Sequence, residues 1–549
     1  MKNINMVMIL LVALTFWANL GFTQVEMVNP EESFRQKAEQ IESKVFENLP
    51  VQNNGRIKPF HSFARETVLF LTGRYKKWGL DSIQIYLGIA GAESVDRLEI
   101  INVRDPELRV RLGYTKSKRY FSLAQLDNTP LQSWAREAMS KQEQNSRSLK
   151  PAENNVLEVF NQWWVLRQIS NGSHFKDAVD FSATVKSHGQ QTPQNEIVDA
   201  AESVISQLKS GDGNGVAEME TLKSLVSKQP MPAHFASQVK NADLELFYNK
   251  AGIFFWAGIL AFLFGLILLF VPEQKLAESK LIYLLCATPI LLIGIGLTIR
   301  VMITGFAPVT NMYGTMIWVA MGILLFSSLL FALYKNYKLV GWLWLTCSMV
   351  LLLAENLPLV LSPDMDPIVA VLRSNLWLTI HVLTITISYA AFTITMFLGN
   401  VGLIRSIWTG EYKGKFYDQY SKAVYRMIQL GVFLISVGII LGGVWADYSW
   451  GRFWGWDPKE TWALIADLGY LAILHAKIVG WLTPFGVMAA STMAYLLVIM
   501  AWYGVNFILA TGLHSYGFSS GGATAVLVFV ILQVVIVGLA FGAKKFRKS

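Results

Sequence analysis

The stretch SWGRFWGWDPKETW, residues 449–462, sets four tryptophans, an aspartate, a glutamate and two basic residues between two strongly apolar runs. Trp450, Trp454 and Trp456 alternate with Gly451 and Gly455, and glycine lets a backbone come close to a partner. Aromatic faces of that size bind flat, apolar objects by stacking. Arg452 and Lys459 add cations that could meet anionic groups on the rim of such an object. A plainer reading covers part of the pattern. Asp457-Pro458-Lys459-Glu460 has the order of a helix start, with Asp as N-cap, Pro at N1 and Glu at N3. An interfacial aromatic belt would account for two of the five tryptophans at 445–462. Neither explanation requires Trp454 and Trp456 beside the cap, with glycines between them.

The elements that must position this loop are membrane helices. The chain has 549 residues, of which 53% are hydrophobic and only 16% charged, and its mean hydropathy is +0.38. Such values suit a polytopic membrane protein and not an ordinary soluble one. Nine runs are long enough to span a bilayer, near 250–271, 281–303, 312–334, 340–361, 375–404, 425–446, 461–479, 485–510 and 522–541. Alternate connections are unequal in charge. Segments 272–280, 335–339, 405–426 and 477–484, with the tail AKKFRKS, carry fourteen Lys or Arg, against Arg300, Arg373, Arg452 and Lys459 in the others. The basic side is expected to be cytoplasmic. The net charge of +8 therefore marks orientation, and no nucleic-acid partner is expected.

That topology sorts the histidines. His381 falls just inside the fifth run and His514 just past the eighth, on the same external face as the tryptophan loop. His475 lies deep in the seventh run, in the inner half of the bilayer, where an ionisable residue is a functional candidate by default. Haem would stack on indoles and take neutral imidazoles at its iron. Cys286 and Cys347 are far apart and form no CxxC or CxxCH, so neither a thiol oxidoreductase nor a c-type cytochrome is indicated.

Ahead of the membrane region, an apolar stretch from Met6 to Ala18 has the length of a signal-peptide core, giving a signal peptide or N-terminal anchor at 1–24. Residues 25–248 read as an extracytoplasmic domain of mixed α/β character. Helices are expected at 31–48, 131–144, 151–170 and 195–209, strands within LEIINVRDPELRVRLGYT, and a turn or linker at SGDGNG, 210–215. His61, His174, His188 and His234 show no metal-ligand spacing. Residues 249–541 form the membrane domain and 542–549 a basic tail.

WGRFWGWDPKETWALI resembles the WWD signature of the CcsA-type (ResC-like) cytochrome c biogenesis proteins of the system II pathway. LWLTIHVLTITISYA, YLAILHAKIVGW and YGVNFILATGLHSYG stand around it in the family's order, so the resemblance covers roughly residues 280–541. It implies that His381 and His514 are the external axial haem ligands, that His475 belongs to an intramembrane haem site, and that Trp450, Trp454, Trp456, Asp457, Gly451 and Gly455 form the haem platform. Arg452 and Lys459 remain possible propionate contacts. FAPVTNMYGTMIW also resembles a family stretch, but Gly314 stands where an acidic residue commonly follows the tyrosine. NNGRIKPFHSFARE, 53–66, is similar to a segment of those members that carry an extra external domain.

The resemblance implies an integral protein of the bacterial cytoplasmic membrane that moves haem b, its transported substrate, to the external loop. There haem would be presented for thioether attachment to the CxxCH thiols of an apocytochrome c. On this reading the chain is the haem-binding subunit of a holocytochrome c synthase. It has no histidine in its first four spans, so a separate ResB/CcsB-like membrane protein is expected to complete the intramembrane site. Competing readings are a haem transporter or chaperone without synthase activity, as in CcmC-type relatives, a bis-histidine electron-transfer subunit, and a plain permease.

Overall fold

The computed structural model of the chain describes residues 32–93, 95–144, 149–181, 194–210, 215–228, 233–365, 376–509 and 522–546. The segment expected as a signal or anchor, most of the 210–215 turn, His188, His514 and the last residues of the basic tail lie outside the described residues.

The N-terminal domain is mostly helical. Its longest helices, Leu131–Gln144, Pro151–Ser170 and Gln194–Ser210, fall where amphipathic spacing predicts them. Four short strands pair antiparallel: β1 (Pro50–Asn53) with β2 (Arg56–Pro59), and β3 (Ile101–Asn102) with β4 (Tyr120–Phe121). The β1–β2 turn is Asn54-Gly55, with φ of 50° and 75°, the two left-handed positions a two-residue hairpin requires. The stretch 98–115, expected to contain strands, holds one short strand. Only Ile101–Asn102 is extended, and Pro106–Arg111 is a helix, because Asp105 caps it with Pro106 at its first position. Phe60 meets Tyr86 and Phe175 edge-on at 5.4 and 5.6 Å in the domain core.

Among the described residues nine helices are long and apolar enough to cross a membrane: Ala242–Phe270, Leu285–Thr304, Met312–Tyr334, Tyr337–Asn356, Leu376–Thr409, Lys415–Trp450, Pro458–Ile478, Pro484–Leu509 and Ala523–Lys545. These are spans one to nine below. They match the nine apolar runs, with one correction. Spans five and six run far past their apolar cores, so the basic connection expected at 405–426 is almost all helix, turning only between Thr409 and Lys415. Helix continues there because residues such as Lys415, Gln419, Lys422 and Arg426 are good helix formers once the chain leaves the apolar layer.

Span five is the hub of this bundle, with its whole middle, Ser388 to Leu403, buried. Polar side chains tie it to its neighbours. Thr393 meets the Tyr495 hydroxyl of span eight at 2.9 Å, and Asn400 donates to Gln533 of span nine at 2.8 Å. In lipid such bonds contribute about 0.6–2 kcal/mol each. Span six approaches span five along a stripe of glycines. A Cβ on Gly431 would lie 2.5 Å from the Phe392 ring, and one on Gly438 would lie 2.9 Å from Ile385.

The two regions join through charge as well as packing. Arg56 on β2 donates two hydrogen bonds, 2.7 and 2.8 Å, to Glu245 at the start of span one, and the pair is buried. The Ser62 hydroxyl gives Glu245 a third bond at 2.7 Å, and Lys250 pairs with Glu47 at 2.6 Å. Connections after an even number of spans emerge beside the N-terminal domain. In keeping with this, the segment after span four packs at Gly73 through Leu359 and takes a hydrogen bond from buried Arg300 to the Pro363 carbonyl at 3.0 Å.

Candidate functional site

The tryptophan segment divides between two helices and a short connection. Trp445 and Trp450 belong to the last turns of span six, and Trp462 to span seven, so the irregular loop is residues 451–457 and not the whole of 445–462. Span six ends at Gly451, whose φ is +67° and whose N–H returns to the Asp447 carbonyl. Span seven starts as its sequence predicts. The Asp457 carboxylate accepts from the Lys459 N–H at 2.9 Å, Pro458 occupies the first turn, and Glu460 reaches back to the Asp457 N–H at 3.2 Å. Glu460 does more than cap. The same carboxylate oxygen accepts from the Gly455 N–H at 2.9 Å, and its other oxygen lies 3.7 Å from the Arg452 guanidinium.

That pairing explains Gly455. A Cβ there would lie 1.2 Å from Arg452 Nη1, so the guanidinium occupies the space a side chain would need. Arg452 is thus held by Glu460 and lies over the Trp450 ring at 5.7 Å. Lys459 bonds to Asn506 Oδ1 at 2.8 Å, and Asn506 donates in turn to the Trp502 carbonyl. Both cations proposed for the rim of a ligand therefore have internal partners. Asn506 lies in the π-helical end of span eight, Met500–Leu509, a wide turn frequent at functional sites.

The aromatic geometry is more specific than the sequence suggests. Trp454 and Trp456 stand perpendicular, 5.8 Å apart at 90°, so the two indoles cannot both lie parallel to one flat ligand in this arrangement. Trp445 and Trp450 meet edge to face at 4.6 Å. Trp456 is 71% exposed and Phe453 48%, a large apolar surface left open at the loop.

His381 sits in the second turn of span five. Its Nδ1 is 2.7 Å from the Gly438 carbonyl, and since a carbonyl only accepts, that nitrogen carries the proton. The lone pair is then on Nε2, the atom a metal would take. The Nδ1–Cε1–Nε2 edge of the ring abuts span six, for a Cβ on Gly442 would come within 2.5 to 3.1 Å of those three atoms. His475 follows the same rule: its Nδ1 donates to the Leu471 carbonyl at 2.8 Å. It lies in the last turn of span seven and is exposed on the outside of the bundle.

His381 and the loop thus share the end of span six that carries Gly438, Gly442 and Trp450, whereas His475 stands apart near the opposite end of span seven. His514 lies outside the described residues. Sequence reasoning missed Gly442, Asn506 and the loop-organising role of Glu460. The glycine run GIILGGVWAD is the signal that could have pointed to a seat for a ring. Gly314 also has a local explanation. A Cβ there would lie 2.4 Å from the Pro308 carbonyl, while its N–H is capped by Asn311 at 2.8 Å.

A family model described as cytochrome C assembly protein matches residues 309–514. Protein NrfI of Wolinella succinogenes is 28% identical over 520 residues, covering 88% of this chain and 55% of the relative, so the chain spans about half of that relative's length. The cytochrome c biogenesis protein CcsA of Prochlorococcus marinus strain MIT 9301 is 34% identical over 297 residues, 48% of this chain and 94% of the relative. CcsA of Porphyra purpurea is 30% identical over 325 residues, 50% of this chain and 99% of the relative.

Proposed function

The chain belongs to the CcsA-type family of cytochrome c biogenesis proteins, and on that premise we propose that it binds haem at the tryptophan loop and presents it for covalent attachment to an apocytochrome c. The observation that carries this reading is the seat of His381. A backbone carbonyl fixes its tautomer and a glycine on the facing helix makes room for its ring edge, and a second-shell bond of this kind is how a protein orients an imidazole meant for iron. Haem is here the substrate, and the apocytochrome supplies both thiols, in keeping with two cysteines that lie far from the loop in sequence.

Each part of the site has a task. His381, with His514 as the second axial partner, holds the iron and sets the ring's orientation. One of Trp454 and Trp456 stacks on the porphyrin and the other closes its edge, since they stand at right angles. Phe453 and the exposed indoles exclude water from the bound ring. Lys459 turns to one propionate by exchanging the Asn506 amide for a stronger acceptor, because charge-assisted bonds to carboxylate exceed those to an amide. Arg452, 3.7 Å from Glu460 and without a hydrogen bond to it, turns its open donors to the other.

Because His475 faces out of the bundle, an intramembrane site that includes it takes its second ligand from another chain. A ResB/CcsB-like membrane protein is the partner we assign to that position. The external domain and loop are assigned to the periplasmic side of the cytoplasmic membrane from the lysine and arginine distribution.

The test is the reduced absorption spectrum of the chain purified with such a partner. A low-spin bis-histidine spectrum that falls in His381→Ala/His514→Ala to the part contributed by the intramembrane site is expected. A wild-type spectrum retained in that double variant would overturn the external site.

A further inference from the structure

Span seven reads PKETWALIADLGYLAILHAKI, and Asp467 is the one acidic residue in its apolar middle. Glu460 lies seven positions before it and His475 eight positions after, so each is about 10–12 Å away along the helix axis. An ionisable side chain at that depth calls for a partner. Asp467 is buried, at 6% exposure. Its Oδ2 accepts from the Ser436 hydroxyl of span six at 2.9 Å, and its Oδ1 has no hydrogen-bond partner among the described residues. Ionised and alone, a carboxylate so placed is an uncompensated buried charge.

No neighbouring element brings it a counter-charge. Span eight holds no Asp, Glu, Lys, Arg or His, and its Tyr495 is bonded to Thr393. On span six the nearest charged residues are Arg426 and Asp447, ten and eleven positions from Ser436. Tyr470, one turn along span seven, stacks on Phe392 of span five at 3.8 Å. The charge that can change is on the far side of span six. Ser436 lies two positions, about half a turn, before Gly438, whose carbonyl holds the His381 imidazole. One helix width, on the order of 10 Å, therefore separates the Asp467 carboxyl from the ring that takes iron.

We propose that Asp467 is a proton-carrying residue coupled to the charge of the haem iron at His381; this rests on the haem reading above. Ferric haem carries one positive charge more than ferrous haem, and the ionised carboxyl accompanies the ferric state. When a one-electron donor is oxidised and the iron reduced, Asp467 takes a proton from water. Electron and proton enter together, and the uncompensated buried charge is removed. Across a helix width, at the effective dielectric of a protein interior, one unit charge alters the proton affinity on the order of tenfold. By linkage, ionisation of Asp467 favours ferric iron by the same factor. Asp467 touches neither the ring nor its ligand and acts through charge alone.

The experiment uses the full chain in detergent, loaded with haemin. Without a partner protein, only the external site can give a bis-histidine spectrum. The ferrous fraction is read at one fixed potential, set with dithionite and redox mediators, across a pH series. From acid to alkali the ferrous-to-ferric ratio of wild type should fall about tenfold further than that of Asp467→Asn. The two curves should meet in acid, where both side chains are neutral. Haem propionates titrate in both proteins and drop out of the comparison. Ser436→Ala keeps the carboxyl but loses a donor that favours its charged form, so the same extra fall is expected at higher pH. Identical curves in wild type and Asp467→Asn, or no extra fall in Ser436→Ala, would overturn the coupling and leave the haem reading intact. A chain that takes up no haemin, or whose spectrum is unchanged in His381→Ala, overturns the haem reading and this inference with it.

Discussion

At the scale of single residues, the site depends on atoms that are absent. Gly442 gives the His381 ring its seat, so Gly442→Val should displace the imidazole and remove most of the haem absorbance while the chain remains folded. A wild-type spectrum in that variant would show that the seat does not matter. Gly455→Ala should act on Arg452, since the added methyl lies where the guanidinium is. Weaker haem retention with an unchanged axial-ligand spectrum is the expected result. Sequence pattern makes the tryptophans and the cap legible, because Asp-Pro-x-Glu has only one common structural use. It could not yield the perpendicular setting of Trp454 and Trp456 or the partner of Lys459. Both depend on how spans six, seven and eight come together in space.

At the scale of elements, apolar runs locate the spans but not their ends. Runs of eighteen or more apolar residues have few alternatives to a membrane helix, so the centres of all nine agree. The extensions of spans five and six carry polar and charged residues, and hydropathy alone reads them as loops. Ser436 donates to Asp467 at 2.9 Å between spans six and seven, the two helices that hold the loop at its ends. Ser436→Ala would leave that buried carboxylate without this donor. The expected outcome is a lower melting temperature of the membrane domain, by an amount corresponding to roughly 1–2 kcal/mol. Gly314 is an element-scale case as well. Gly314→Asp would push on the Pro308 carbonyl and should destabilise the start of span three, measurable as faster hydrogen exchange at residues 311–316. An acidic residue is accommodated at this position only by a backbone that turns differently before the helix.

At the scale of the whole molecule, the N-terminal domain adds a pH response. Burial, chiefly, holds His61 and His174 down to about 4, so the unfolded chain binds protons that the folded one refuses. Their contribution to stability is present at neutral pH and lost as pH falls from about 6.5 toward 4, roughly 2 kcal/mol each by pH 5. Glu66 acts with the opposite sign. Burial raises it to about 7 against the pull of Lys58, 2.5 Å away, with Asp364 adding to the rise. The folded state then takes up a proton as pH falls through 7, and stability is gained toward 4.5. The three groups partly cancel, so wild type should show a shallow pH profile. Glu66→Gln should steepen the loss between pH 7 and 5 by roughly 2 kcal/mol, whatever its absolute stability. Equal slopes in the two proteins would contradict the assignment. None of this was legible in the sequence, where the histidines show only that they lack metal spacing.

The Arg56–Glu245 pair also has a consequence for how the protein is made. Its partners are 189 positions apart, and the carboxylate lies at the threshold of the first membrane helix. Arg56 leaves the ribosome long before Glu245, and a buried guanidinium deprived of its carboxylate costs about 3–5 kcal/mol. The N-terminal domain therefore cannot complete this contact from its own part of the chain. Its last contact forms only once the first membrane helix arrives, so the order of synthesis becomes the order of folding.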